Sequence, residues 1–178
     1  AQRLNIEFRS GFNAVEITKD GELFHISTDQ ETLYAKKVII ATGGNANEQA
    51  YSFLKKLGHK IINPIPSLFT FNDPTKTLAE LSGISVANAE VKIATTKFSQ
   101  SGPLLITHWG LSGPAVIKLS AWAAKELFDR NYTFTALVSW IGTVKEEETR
   151  TILNNYKTAN PKRTVVLYPL FELPQRLW

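Results

Sequence analysis

The sequence contains no cysteine and no methionine, and only three histidines. Without cysteine there is no disulfide framework, no thiolate metal site and no cysteine nucleophile. His25, His59 and His108 stand far apart with no H-x-x-x-H pairing, so the usual spacing of a zinc or iron centre is missing as well. No metal is expected. Long apolar runs are also lacking: nothing approaches the roughly 20 residues that cross a bilayer, and the first residues lack the charged-then-apolar order of a signal segment. The chain reads as cytoplasmic, with no membrane partner. Charge of one sign does not dominate either. Twenty Lys and Arg against sixteen Asp and Glu leave +4, and the two signs are interspersed, which argues against a nucleic-acid face. Three chemical signatures are absent: G-x-S-x-G, the P-loop lysine motif and G-x-G-x-x-G.

What is present suits a globular chain. Of 178 residues 43% are hydrophobic, enough for a packed core. The first forty residues alternate, and "NIEFRS", "NAVEITKDGELFHIST" and "TLYAKKVIIAT" read as strands of an antiparallel meander with a hairpin turn at Lys19-Asp20-Gly21. Val38-Ile39-Ile40-Ala41 is apolar at consecutive positions, the pattern of a strand covered on both faces. A helix is expected after Gly44, with Asn45 as N-cap, Glu48 completing a capping box and Gly58 ending it in the left-handed conformation. Pro64, Pro66 and Pro74 then break regular structure and mark a boundary near residue 66.

Beyond it the pattern is mixed. A short helix near "TKTLAELSG", a strand pair "ISVANAEVKI" and "PLLITH" around a "QSGP" turn, a helix from Pro114, a strand "YTFTALVSWI", a helix from about Val144 and a strand "TVVLY" are expected. In the Pro114 helix, Ile117, Ala121, Ala124 and Phe128 form an apolar stripe. Thr143 and Glu146 form a capping box for the Val144 helix, and Glu146 to Glu148 suit the positive end of its dipole. The fold class is mixed α+β, divided into residues 1–66 and 67–178. The chain opens on Ala1, and "FELPQRLW" places Pro174 as the first-turn residue of a helix that would continue past Trp178, so the ends read as those of a fragment.

Two stretches carry candidate chemistry. In "VIIATGGNANEQ" an apolar strand runs into Gly43-Gly44, whose missing side chains let a ligand approach the backbone; a tight strand-to-helix connection explains the same residues. In "THWGLSGPA", Ser112 can cap the helix, Pro114 suits its first position, and Gly110 and Gly113 expose amides able to hold an anion or a carbonyl, with His108 alongside. A well-made helix start accounts for that stretch equally.

Taken together, "VIIATGG", "LGHKI", "PSLFTF", "ELSGIS", "GPLLITHWGLSGPAVIKLSA" and "ELPQRLW" resemble the aminoacetone-oxidase-like (YhiN/BaiN-type) family of NAD(P)/FAD-dependent oxidoreductases over nearly the whole chain. "ITHWGLSGPA" is the most specific of these segments. The resemblance implies a partial FAD-binding domain, an antiparallel meander with a buried strand and helix, followed by a mixed α/β insert domain covering the substrate side. It implies FAD as cofactor, contacted by Ala14, Ala41, Thr42, Gly43 and Gly44 mainly through backbone. NAD(P)H is the candidate reductant, and the partners are a small-molecule substrate and the remainder of the chain's own polypeptide. His108 and Ser112 are the candidate catalytic residues. Ala14 replaces the Val usual in that family, and "NANEQAYSF" replaces a glycine-rich segment. The rival expectation is a stand-alone ligand-binding or interaction module.

Overall fold

A computed structural model of the chain describes residues 6–178. Two compact units are present, Ala1–Pro64 and Ile65–Trp178, each with its own antiparallel sheet, and the class is mixed α+β.

The first unit is built on β1 (Ala14–Asp20), β2 (Leu23–Thr28) and β3 (Thr32–Ala35) in the order β1-β2-β3. Asp20 pairs with Leu23 across a two-residue loop, Gly21-Glu22, and of the two only Gly21 has positive φ, at +56°. The meander is shorter than expected. Residues 6–10 of "NIEFRS" are not in a strand, and Asn5 lies outside the described residues. Val38–Ala41, read as a buried strand, forms none: Ile39 is 93% exposed and Ile40 is also exposed. A β-branched run has strand propensity, yet a strand exists only through its ladder, and among the described residues none lies beside this one. Ile17 is the only buried hydrophobic residue of this unit among the described residues.

The helical segment begins two residues later than the capping pattern placed it. Asn47, not Asn45, is the N-cap: its side chain accepts from Gln49 N–H at 2.9 Å, and a 3-10 turn (Glu48–Tyr51) leads into α1 (Ser52–Lys56). Asn45 instead accepts from Asn47 N–H at 2.8 Å, so consecutive Asx turns compete with helix formation over 45–47. Gly58 does adopt positive φ, at +88°.

The second unit holds β4 (Phe71–Asn72), β5 (Ser85–Ile93), β6 (Ser99–Thr107), β7 (Gly110–Ser112) and β8 (Ala136–Ser139), in the sheet order β4-β7-β6-β5-β8. The β5–β6 turn lies at residues 94–98. "QSGP" falls inside β6, where a bulge in β5 between Val86 and Ala89 takes up Pro103, which has no N–H for a ladder. Helices α2 (Pro114–Trp122) and α3 (Ala124–Asp129) follow, then α4 (Glu146–Ala159).

Four further expectations are corrected here. The N-cap of α2 is Gly113, with φ +99°, because Ser112 is engaged in β7. The buried stripe is Val116, Leu119, Ser120, Ala123 and Leu127, one residue out of phase with Ile117, Ala121, Ala124 and Phe128. Both stripes are nearly all apolar and share the helical period, so only the sheet decides which turns inward. Lys145 caps α4 without a side-chain bond, in place of Thr143. "TVVLY" forms a 3-10 turn, Val165–Leu167, with Val166 and Leu167 exposed.

Val91, Ile93, Leu104, Ile106, Val116, Leu119 and Leu127 form the centre of this core. Ser120 is the one fully buried polar side chain among the described residues. It accepts from Phe69 N–H at 2.9 Å and donates to the Ile117 carbonyl at 2.8 Å. Ser120→Ala leaves the Phe69 amide without its acceptor and should cost about 1–3 kcal/mol in denaturant unfolding of this unit. An unchanged midpoint would show that the Phe69 amide has found another partner.

Candidate functional site

Ala41 to Gly44 form an exposed, irregular stretch of the first unit. Gly43 has φ +78°, and a Cβ placed on Gly43 or Gly44 would meet nothing within 4 Å. The glycines are therefore not there to relieve crowding, and their backbone is open to close approach. Downstream the chain is clasped by a phenol. Asn45 N–H donates to Tyr51 Oη and the Tyr51 hydroxyl donates to the Asn45 carbonyl, both at 2.8 Å. The two-way bond needs the Asx turns at Asn45 and Asn47 that bring the chain back to Tyr51. Tyr51→Phe should loosen residues 41–51 by about 1 kcal/mol, seen as faster amide exchange there with β1 and β2 unchanged. Equal exchange in both proteins would remove the clasp from the account.

Two charged pairs lie at the surface of the same unit. Lys55 bonds Glu48 and holds its carboxyl below the ordinary range through that hydrogen bond and then through charge; Lys56 does the same to Glu16, at 2.8 Å, and ties α1 to β1. Ala14 begins β1, where the ladder is irregular: Ala14 pairs with Thr28 and Glu16 with Ser27, leaving Val15 as an exposed bulge. Its backbone thus sits at a break in pairing.

In the second unit, His108 and Trp109 form the tip between β6 and β7, both exposed, with ring centroids 5.9 Å apart. Ser112 lies three residues after Trp109 on β7, opposite Leu105. His108 and Ser112 stand four residues apart across the turn and make no hydrogen bond to each other; the side-chain bond there is from the Thr107 hydroxyl to the Gly110 carbonyl at 3.0 Å. The anion cradle expected of Gly110 and Gly113 is not formed. Gly110 is buried beside β4, and a Cβ there would lie on the Phe71 carbonyl and 2.7 Å from Asp73 N; one on Gly113 would lie 2.8 Å from the Pro103 carbonyl. Both glycines serve backbone packing. The chain after β4 is fixed by Asp73 N–H donating to the Trp109 carbonyl at 2.7 Å, and by the Asp73 carboxylate, which accepts from the Thr75 hydroxyl at 2.6 Å and is held below its ordinary pKa chiefly by that bond.

A cavity of about 540 Å³ opens where the β5 bulge, β6 and the segments 140–144 and 171–172 meet. Trp140, Ile141, Val86 and Phe171 give it apolar walls, and Asn88, Ser101, Thr143 and Glu172 give it polar groups. Phe171 and Glu172 both have φ +58°, and Gly142 is required because a Cβ would stand 2.9 Å from the Asn88 carbonyl. No motif announced this cavity; it depends on a bulge and on a return of the chain some thirty residues later. Among the described residues no group of His, Asp or Glu is placed to hold a metal, and no helix is long and apolar enough to cross a membrane.

Residues 65–178 match the protein family described as HI0933-like protein barrel and H2TH domain. Over 183 residues the chain is 27% identical to a ribosomal RNA dihydrouridine synthase of Escherichia coli (strain K12), covering 97% of this chain and 42% of that protein. A ribosomal RNA dihydrouridine synthase of Haemophilus influenzae is 28% identical over 182 residues, with the same coverage. A 3-dehydro-bile acid delta(4,6)-reductase of Clostridium scindens is 21% identical over 187 residues, covering 99% of this chain and 45% of that protein. The chain spans less than half the length of these relatives.

Proposed function

Because the chain belongs to the HI0933-like protein family, to which the YhiN/BaiN-type motifs point, we propose that it forms part of an FAD-dependent oxidoreductase that reduces an unsaturated ring. The observation that carries this reading is the open backbone at Gly43-Gly44, after an apolar run and before a clasped turn. It fits a planar group approaching the main chain, and the described residues supply one wall for it rather than a full enclosure. The names of the relatives agree in chemistry: a dihydrouridine synthase and a delta(4,6)-reductase both imply saturation of a ring double bond.

When bound, FAD would supply the two-electron transfer, which no side chain of this protein can perform. The chain's own residues would bind and orient. Ala41, Thr42, Gly43 and Gly44 would face the cofactor through backbone, as would Ala14, at the irregular start of β1 beside the Val15 bulge. His108, exposed at its turn, is the residue proposed to orient a substrate carbonyl. The second unit would act as the substrate-side cap. Among its described residues the first unit buries a single hydrophobic side chain, and it exposes Phe8, Val15, Ile39 and Ile62. We assign that apolar surface to contact with further segments of the same polypeptide, in keeping with relatives more than twice as long.

The test is anaerobic mixing of the longer polypeptide, loaded with FAD, with NADPH or NADH. Loss of the oxidised flavin absorbance is expected; an unchanged spectrum with both would remove nicotinamide as reductant. A stand-alone ligand-binding module is the second reading, favoured by the 540 Å³ cavity, which lies within the range of small-molecule sites.

A further inference from the structure

The cavity of about 540 Å³ lies wholly within the second unit, and its walls carry one carboxylate, Glu172, and no Lys, Arg or His, although the chain as a whole is cationic. Two aromatic rings, Trp140 and Phe171, line it as well, each held in place by partial packing against the core. Among the described residues Trp140 is in no ring pair, and no Lys or Arg lies over either ring. Three uncharged polar side chains, Asn88, Ser101 and Thr143, are exposed on the same walls.

The turn that brings Phe171 and Glu172 to the cavity is strained. Leu173 N–H donates to the Leu170 carbonyl at 3.1 Å, and both residues between them have φ +58°. A turn with two left-handed central residues is the place of Asn and Gly, so a Phe and a Glu there carry a backbone cost that something else must offset. The other consecutive pair of this kind, Asn131-Tyr132, begins with Asn and follows the end of α3, where a left-handed cap is ordinary. For Phe171 the offset is visible: its ring packs on the core and lies 6.5 Å from that of Trp178. For Glu172 it is not. That side chain is exposed and, among the described residues, takes part in no ion pair.

We propose that this cavity binds a small organic cation. The faces of Trp140 and Phe171 receive the cationic group, Glu172 supplies the opposite charge, and Asn88, Ser101 and Thr143 bond a polar tail. An anion would meet a carboxylate and no cation. A neutral apolar ligand would strip water from Glu172 and return nothing for it. The proposal draws on no residue given to the flavin, so the two stand or fall separately.

The test is titration of the full chain with choline chloride at constant ionic strength, followed by amide and indole NMR. Saturable shifts are expected in the Trp140 indole N–H, identified by its loss in Trp140→Phe, and in the amides of Asn88, Gly102 and Glu172. Dimethylbutanol, the uncharged analogue with carbon in place of nitrogen, should bind at least about tenfold more weakly. Glu172→Gln should weaken choline binding about tenfold, whereas Glu147→Gln, which alters an exposed carboxylate outside the cavity, should leave it unchanged. Glu172→Gly separates the two roles of the residue: it should weaken binding to the same degree and raise the thermal midpoint by about 2–4 °C, because glycine takes positive φ without strain. Absence of a saturable shift, or a choline affinity unchanged in Glu172→Gln and Glu172→Gly, would overturn the proposal. Equal affinity for choline and dimethylbutanol would overturn it in favour of a neutral apolar ligand, and shifts at these positions with inorganic phosphate but not with choline would do so in favour of an anion.

Discussion

Gly110→Ala should destabilise the second unit by about 3–5 kcal/mol, near the upper end of single-residue effects. Two causes act together. The residue has φ +150°, a conformation that side chains rarely adopt, and its Cβ would lie on the Phe71 carbonyl and 2.7 Å from Asp73 N, both backbone atoms that no rotamer change can move. Relief requires β4 to leave β7. That would break the Phe71–Leu111 and Asn72–Gly110 pairing, the Asp73 bond to Trp109, and the seat of Phe71, which is buried with its ring 4.8 Å from Phe134 in an edge contact. Gly102 is the internal comparison. Its φ of +143° is similar, but a Cβ there meets nothing within 4 Å, so Gly102→Ala should cost only the backbone term, about 1–2 kcal/mol. Denaturant unfolding followed by tryptophan fluorescence measures both variants. A Gly110→Ala loss no greater than that of Gly102→Ala would mean that β4 yields freely and that the close approach carries no energy.

The second large effect concerns cofactor affinity. The chain should bind FAD weaker than the longer polypeptide by on the order of a hundredfold or more. In sites of this kind the pyrophosphate is held by backbone amides at a helix N-terminus following a glycine-rich loop, and this chain contains no G-x-G-x-x-G. Each charge-assisted bond lost is worth about 1.5–3 kcal/mol, so two suffice for the factor stated. Ala41 to Gly44 then act as a wall with little hold of their own, consistent with a stretch that no described residue of the first unit covers. Calorimetric titration of FAD into the chain checks this. Stoichiometric submicromolar binding would show that a complete phosphate site is present.

The features that could be read from sequence are those decided within a few residues. Gly21 turns the β1–β2 hairpin, Pro114 opens α2, Glu146 to Glu148 occupy the first turn of α4 and Gly58 takes positive φ after α1, because turn and cap preferences need no distant partner. The failures share the opposite property. Val38–Ala41 has every local mark of a buried strand and lacks only a neighbour. Ser112 is a good cap by composition and is claimed by the β6–β7 ladder. The inward stripe of α2 and α3 depends on which side the sheet lies, and the buried Ser120, which breaks the apolar pattern, is explained by an amide 51 residues away. Gly110 and Gly113 were legible as glycines of consequence, but whether their open side faced a ligand or another strand was settled by β4 and β6. The cavity walls come from four separated segments, a grouping that periodicity does not encode.

The account rests on the first unit being one wall of a flavin site, and flavin retention by the longer polypeptide tests that most directly. After reconstitution with FAD and gel filtration, the folded polypeptide should elute with an oxidised flavin spectrum near one equivalent, and Gly44→Trp, at a position where a Cβ meets nothing within 4 Å and the backbone φ is not positive, should reduce the retained flavin severalfold. Folded protein that elutes without flavin would contradict the account, as would full retention by the Gly44→Trp variant.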